Sequence, residues 1–188
     1  MNVAKIVAVA GLLIGMLASA SAQTAGPVSG VATPTMAAPK LTATIFVSNL
    51  GSITAYAPGS NGNVAPIAAI SDRSNMIEMP YGIALDSKAN IYVANYEGGP
   101  ARTGTITVYP AGSDGDTTPT ATLSGPRTGL DNPFGIALDS SGNIYVSDSG
   151  SNTITVYPAG SNGNVAPSAT ISGSSTGLAI PFGLAIGP

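Results

Sequence analysis

The chain has 188 residues, of which 8% are charged and 44% hydrophobic, with 24 glycines, 15 prolines and a formal charge of −3. That length suits one ordinary domain, the Gly- and Pro-punctuated composition suits short strands joined by turns, and the negative balance argues against nucleic acid as a partner. Cysteine and histidine are both missing, which removes disulfides, thiol nucleophiles, imidazole ligands and Ser-His-Asp catalysis together.

The first segment, MNVAKIVAVAGLLIGMLASASAQT, carries Lys5, an apolar stretch from Ile6 to Ala18, and small residues at Ala18-Ser19-Ala20 and Ala20-Ser21-Ala22. This pattern predicts a signal peptide over residues 1–22 cleaved before Gln23, because the stretch is shorter than the roughly 20 residues needed to span a bilayer. Removal of Lys5 would take the charge from −3 to −4. The expected address is secreted, periplasmic or cell surface, with no membrane span after cleavage. Residues 23–40 contain Pro27, Pro34 and Pro39 among Ala, Thr and Gly, without strand or helix period, and read as an extended linker.

From residue 41 to 188 the chain repeats itself. TIFVSNLGSITAYAPGSNGNVAPIAAIS from 44, NIYVANYEGGPARTGTITVYPAGSDGDTTPTATLS from 90 and NIYVSDSGSNTITVYPAGSNGNVAPSATIS from 143 align. The distances Ile53 to Ile91 and Ile106 to Ile144 are both 38 residues, whereas Ile45 to Ile53, Ile91 to Ile106 and Ile144 to Ile154 are 8, 15 and 10. Length variation is therefore confined to one loop of each unit.

Within a unit apolar residues alternate, as at Ile136 and Leu138, Ile144 and Val146, Ile154 and Val156, and Ala169 and Ile171. The alternation predicts four short strands, and DSSGN, GSN and YPAGSNGNVAP between them supply turn chemistry. Asp86 and Asp139 open two of these turns through Asx-type hydrogen bonds. Four antiparallel strands per unit of about 48 residues predict an all-β chain of β-propeller blades, about three per chain.

The run PFGIALDSSGNIYVSDSGSNTITVY and its copy PYGIALDSKANIYVANYEGGPARTGTITVY resemble NHL-type propeller repeats. The features that carry the resemblance are a Gly-Ile-Ala-Leu-Asp strand, a Gly-Asn turn (Ala89-Asn90 in the earlier copy) and an Ile-Tyr-Val strand ending in Asn or Asp. Thr105 and Thr153 stand where such repeats often carry a basic residue. With strands named a to d from the axis outward, the chain reads b-c-d, a-b-c-d, a-b-c-d, a, and PFGLAIGP (181–188) is the final strand a. Three blades leave two faces open, so a head-to-tail homodimer forming a six-bladed ring is expected, with a fragment of a longer gene product as its rival and an open filament as a third possibility.

The long b-to-c loop, 96–104, and the d-to-a segments, which carry Asp72, Arg73, Glu78, Arg127 and Asp131, share one face, and on it Tyr96, Glu97, Arg102, Arg127 and Asp131 are the ligand-binding candidates. Asn49, Asn95 and Asp148 end the three b strands; the expectation is no cofactor, with turn-capping the commoner role of such residues, while the resemblance to gluconolactonase-like propellers implies Ca²⁺ at these three as the alternative. Nine of the ten aromatics fall at repeated positions (Phe46, Tyr92, Tyr145; Tyr56, Tyr109, Tyr157; Tyr81, Phe134, Phe182), the expected mark of packing between blades, and only Tyr96 does not. The functional expectation is a non-enzymatic secreted module that binds a protein, glycan or surface polymer through its loop face. The alternative is a metal-dependent enzyme of the lactonase or lyase kind, or a fragment of one.

Overall fold

A computed structural model describes residues 43–71 and 77–187. The signal-peptide and linker assignments (1–22 and 23–40) lie outside the described residues, as do Asp72 and Arg73 of the first d-to-a segment. Among the described residues no helix is long and apolar enough to cross a membrane.

Twelve strands are present among the described residues, with one turn of 3₁₀ helix at Ser174–Thr176. The first blade holds β1 (Ile45–Asn49), β2 (Ser52–Tyr56) and β3 (Ala68–Ser71). The second holds β4 (Pro80–Leu85), β5 (Ile91–Asn95), β6 (Thr105–Tyr109) and β8 (Ala121–Leu123). The third holds β9 (Pro133–Leu138), β10 (Ile144–Asp148), β11 (Thr153–Tyr157) and β12 (Ala169–Ile171). The second and third sheets are antiparallel meanders in the expected a-b-c-d order. The fold is therefore all-β, built of four-stranded, propeller-type blades.

Two features depart from the expected strand pattern. The first sheet gains its fourth strand from β7 (Gly115–Asp116), which lies in the c-to-d connection of the second unit and pairs parallel with β3. The same connection in the third unit makes a single parallel bridge, Leu123 to Gly163. These long connections thus fold back over the outer strand of the preceding blade and cap its free edge. The terminal segment 181–187 is not a strand: it lies at the expected inner position, and among the described residues no strand pairs with it.

Turn chemistry fixes the hairpins locally. Asp86 Oδ1 accepts main-chain N–H bonds from Lys88 (2.8 Å) and Asn90 (2.9 Å), and Asp139 Oδ1 accepts them from Ser141 and Asn143 (both 2.9 Å). The side-chain amides of Asn90 and Asn143 reach the second oxygen at 2.7 and 2.8 Å. These bonds satisfy main-chain donors that the tight turn would otherwise leave to solvent.

Alternation then builds the cores. Ile53 and Ile70 of the first blade meet Ile83, Ile91, Val93 and Tyr109 of the second, with Phe46 packed alongside. Ile106 and Leu123 of the second meet Ile136, Ile144, Val146 and Tyr157 of the third. Tyr109 and Tyr157 are fully buried, and burying one ring of this size contributes about 2 kcal/mol or more.

Candidate functional site

Each complete inner strand begins with the same backbone device. Met79 (φ 48°) and Asn132 (φ 55°) adopt left-handed conformations immediately before Pro80 and Pro133, and Ile180 (φ 49°) does so before Pro181. The register with the neighbouring strand then shifts, pairing Pro80 with Asn95 and Gly82 with Ala94 while Tyr81 is passed over. The third blade repeats the shift at Phe134. A bulge leaves one residue outside the ladder and re-aims its side chain, and the residue re-aimed here is aromatic.

The rings line up across blades. Tyr81 stacks on Phe134 with centroids 4.1 Å apart, Phe134 meets Phe182 edge-on at 4.7 Å, and Tyr96 from the long loop meets Tyr81 edge-on at 5.5 Å. Tyr96, Tyr81 and Phe134 are half-buried and Phe182 is exposed. They form a row of partly accessible aromatic surface that crosses three blades. The repeated spacing of Tyr81, Phe134 and Phe182 was visible in the sequence, but nothing in it signalled that a bulge would join them to Tyr96.

The long loop is ordered by its own backbone. Arg102 N–H donates to Gly99 O (3.1 Å) and Gly104 N–H to Gly98 O (3.2 Å). It is tied to both neighbouring d-to-a segments: Tyr96 N–H donates to Met79 O (3.1 Å), Asn132 N–H to Thr103 O (2.8 Å), and the Asn132 side-chain amide to Tyr96 O (3.2 Å). Glycine is required at 104, where φ is 103° and a Cβ would come within 2.1 Å of the Pro133 ring.

This packing brings Tyr96, Glu97 and Arg102 together and adds Glu78. The Arg102 guanidinium hydrogen-bonds the Glu97 carboxylate and pairs with Glu78 at 3.0 Å, while 61% of its side-chain surface stays open to solvent. The hydrogen bond to Glu97, followed by the Glu78 charge, raises the pKa of Arg102 above its ordinary value. Asp131 is half-buried in the adjoining segment, with its carboxylate against Gly150 and its N–H donating to Asp148 at 3.2 Å. Arg127 stands apart beside the outer strand β8, where its N–H donates to Asn164 Oδ1 at 2.8 Å.

Asn49, Asn95 and Asp148 are each hydrogen-bonded to a threonine of strand c (β2, β6 or β11) in the same blade. Asn49 Nδ2 donates to Thr54 (3.0 Å) and Asn95 Nδ2 to Thr107 (2.9 Å), while Asp148 Oδ2 accepts from Thr155 (2.8 Å). Asn95 and Asp148 are fully buried, and burial pushes the Asp148 carboxyl up to about 7. Ca²⁺ favours six to eight oxygen ligands. This set offers two amide oxygens, of which Asn95 Oδ1 is buried without a hydrogen-bond partner, and one largely desolvated carboxyl whose oxygens accept from Thr155 and the Asp131 N–H; three such side chains fall short of the oxygens the ion favours, so the set does not fit it. Among the described residues no group of three or more acidic, histidine or cysteine side chains could hold a metal.

A cleft of about 600 Å³ opens between the second and third blades beside the Asx turns, lined in part by Asp86, Lys88, Tyr92, Asp139 and Gly160. Hydrogen bonds within the turns occupy both aspartates, so they serve the turns first.

No curated protein matches the chain. The model of the NHL repeat family matches residues 130–157, which cover β9, β10 and β11 of the third blade. With the same strands and the same bulge present in the second blade, the chain is an NHL-like repeat protein.

Proposed function

We propose that the chain is a non-enzymatic binding module acting outside the cytoplasm, and that its loop face engages a glycan or surface polymer. The observation that carries this reading is the row Tyr96, Tyr81, Phe134 and Phe182 bordered by the solvent-open Arg102 and the half-buried Glu78 and Glu97. Partly accessible aromatic faces suit the apolar faces of sugars, and a rim of both charge signs supplies directional hydrogen bonds. A variable loop on a regular scaffold is a common seat of recognition. The export-type segment at residues 1–22 supports the extracytoplasmic address.

The enzymatic alternative has less support. Asp148, the acid with a pKa near the working range, is fully buried, and its two oxygens accept bonds from Thr155 and the Asp131 N–H. A general acid or base must come within hydrogen-bond reach of substrate.

Affinity electrophoresis in gels cast with soluble polysaccharides of neutral, acidic and amino-sugar type tests the proposal. The expected result is retardation by at least one polymer, lost in Tyr96→Ala and Arg102→Ala while both variants melt as the parent does. Migration unaffected by every polymer, or equal retardation of parent and variants, would overturn it.

A further inference from the structure

Two open surfaces of the chain are the two halves of an interface that the chain also builds twice internally. At each internal junction the leading blade supplies Ile53 and Ile70, or Ile106 and Leu123, and the following blade supplies Ile91 and Tyr109, or Ile144 and Tyr157. All eight are buried, none above 2% exposed. The third member of each set stands open. Ile171 is 52% exposed with Ile154 half-buried on the third blade, and Ile45 is 40% exposed with Tyr56 half-buried on the first. Ile45, Val47 and Tyr56 line a cleft of about 440 Å³ with Asn61 and Asn63.

Main-chain pairing shows the same incompleteness. β5 and β10 each have an inner neighbour, β4 or β9, whereas among the described residues β1 is the edge of its sheet. The segment PFGLAI (181–186) repeats PYGIAL of β4 and PFGIAL of β9, yet among the described residues it has no strand partner. It is held beside the third blade by Ser147 Oγ, which donates to Phe182 O at 2.6 Å, as Ser48 Oγ donates to Tyr81 O at 3.0 Å. The registers Ile83 to Val93 and Ile136 to Val146 would align Leu184 with Val47 and Ile186 with Ile45.

Side-chain latches complete the correspondence. Ala69 N–H donates to Asp114 Oδ1 (2.8 Å) and Thr122 N–H to Asn162 Oδ1 (2.9 Å), each across a blade junction. The repeat-equivalent pair is Thr170 on one open surface and Asn61 on the other. Arg127 N–H donates to Asn164 Oδ1, and its equivalents are Ser175 and Asn63.

We infer that a second copy of this chain covers these surfaces: residues 181–187 of one copy pair antiparallel with β1 of the other, and two such junctions close a six-bladed ring. The occupant is a second copy because every chain carries both the donor segment and the acceptor edge. A symmetric pair then leaves neither exposed. The inference is independent of the loop-face reading.

The test joins Ile45→Cys with Ile186→Cys in one chain, which has no cysteine of its own. After oxidation, a reductant-sensitive species of two chains is expected on denaturing gels, and the parent should scatter light at twice the chain mass found by mass spectrometry. A monomer by both measures, an intrachain link, or a ladder beyond two chains would overturn the closed pair. Gly183→Ala supplies a second readout. Its Cβ would meet nothing within 4 Å in the single chain, whereas a Cβ at Gly82 would lie 2.7 Å from Phe134 O of β9 and one at Gly135 2.4 Å from Phe182 O of the terminal segment. The variant is expected to keep the parent's circular dichroism and associate at least tenfold more weakly; association unchanged would count against the inference.

Discussion

Tyr81 and Phe134 lie in different blades, yet their rings stack 4.1 Å apart and within 14° of parallel. Each is the residue that the bulge leaves out of its own sheet, so a local irregularity in each blade becomes a contact between blades. Phe134 also meets Phe182 and thus takes part in two ring pairs. Phe134→Leu keeps an apolar side chain but removes both. At about 0.5–1.5 kcal/mol per aromatic pair, the expected loss is about 1–3 kcal/mol. Urea unfolding should show the lower midpoint, and a midpoint equal to the parent's would mean that the row adds no stability.

The close approach of inner strands depends on glycine. A Cβ on Gly82 would sit 2.7 Å from Phe134 O and 2.9 Å from Ile136 N, both main-chain atoms that cannot turn aside. Gly82→Ala should therefore force the second and third blades apart and cost about 1–3 kcal/mol, the usual range for overpacking. Thermal unfolding measures it, and an unchanged melting temperature would show that the junction yields.

Repeat spacing made the blades legible in the sequence. Alternation at positions such as Ile144 and Val146 fixed which face is buried, and the Asp86 and Asp139 turns followed from residue type alone. What stayed hidden depends on contacts between units. Gly115 and Asp116 form a strand only because β3 offers an edge, and residues 181–187 fail to form one because no edge is offered to them. The gathering of Glu78 with Glu97 and Arg102 likewise arises from the tie between Tyr96 and Met79, which no single repeat contains. Asn49, Asn95 and Asp148 stand at equivalent positions in the sequence, and the fold repeats with them a hydrogen bond to a strand-c threonine in each blade.

The hairpin turns offer a matched pair of substitutions. Ala89 has φ 61° where its counterpart Gly142 has φ 81°. A left-handed conformation costs a residue with a Cβ roughly 1–2 kcal/mol, partly offset by glycine's greater freedom when unfolded. Ala89→Gly should thus stabilise by about 0.5–1 kcal/mol. Gly142→Ala should destabilise by about 1 kcal/mol or more, since its Cβ would also lie 3.3 Å from Ala159. Denaturant midpoints moving in the same direction for both variants would contradict the backbone argument.

Asp148 should make stability depend on pH in a window that few other groups share. Burial is the largest cause raising its carboxyl from 3.8 to about 7, and the nearby Asp131 charge adds to it, against the lowering effect of the bonds from Thr155 and the Asp131 N–H. Below about pH 4 the group is protonated in both folded and unfolded chains, and the native state is unpenalised. As pH rises towards 7 the unfolded chain releases the proton while the folded chain retains it, so stability falls; above about 7 the loss is complete. The full effect is on the order of 4 kcal/mol at most. The chain has no histidine, and the shifted Asp86 and Asp139 move downwards, outside this window. Asp148→Asn supplies the residue that Asn95 already provides in the second blade, where the amide donates to Thr107. Its urea midpoint should hold nearly level between pH 5 and 7.5 while the parent's declines; parallel slopes for the two proteins would place the titrating group elsewhere.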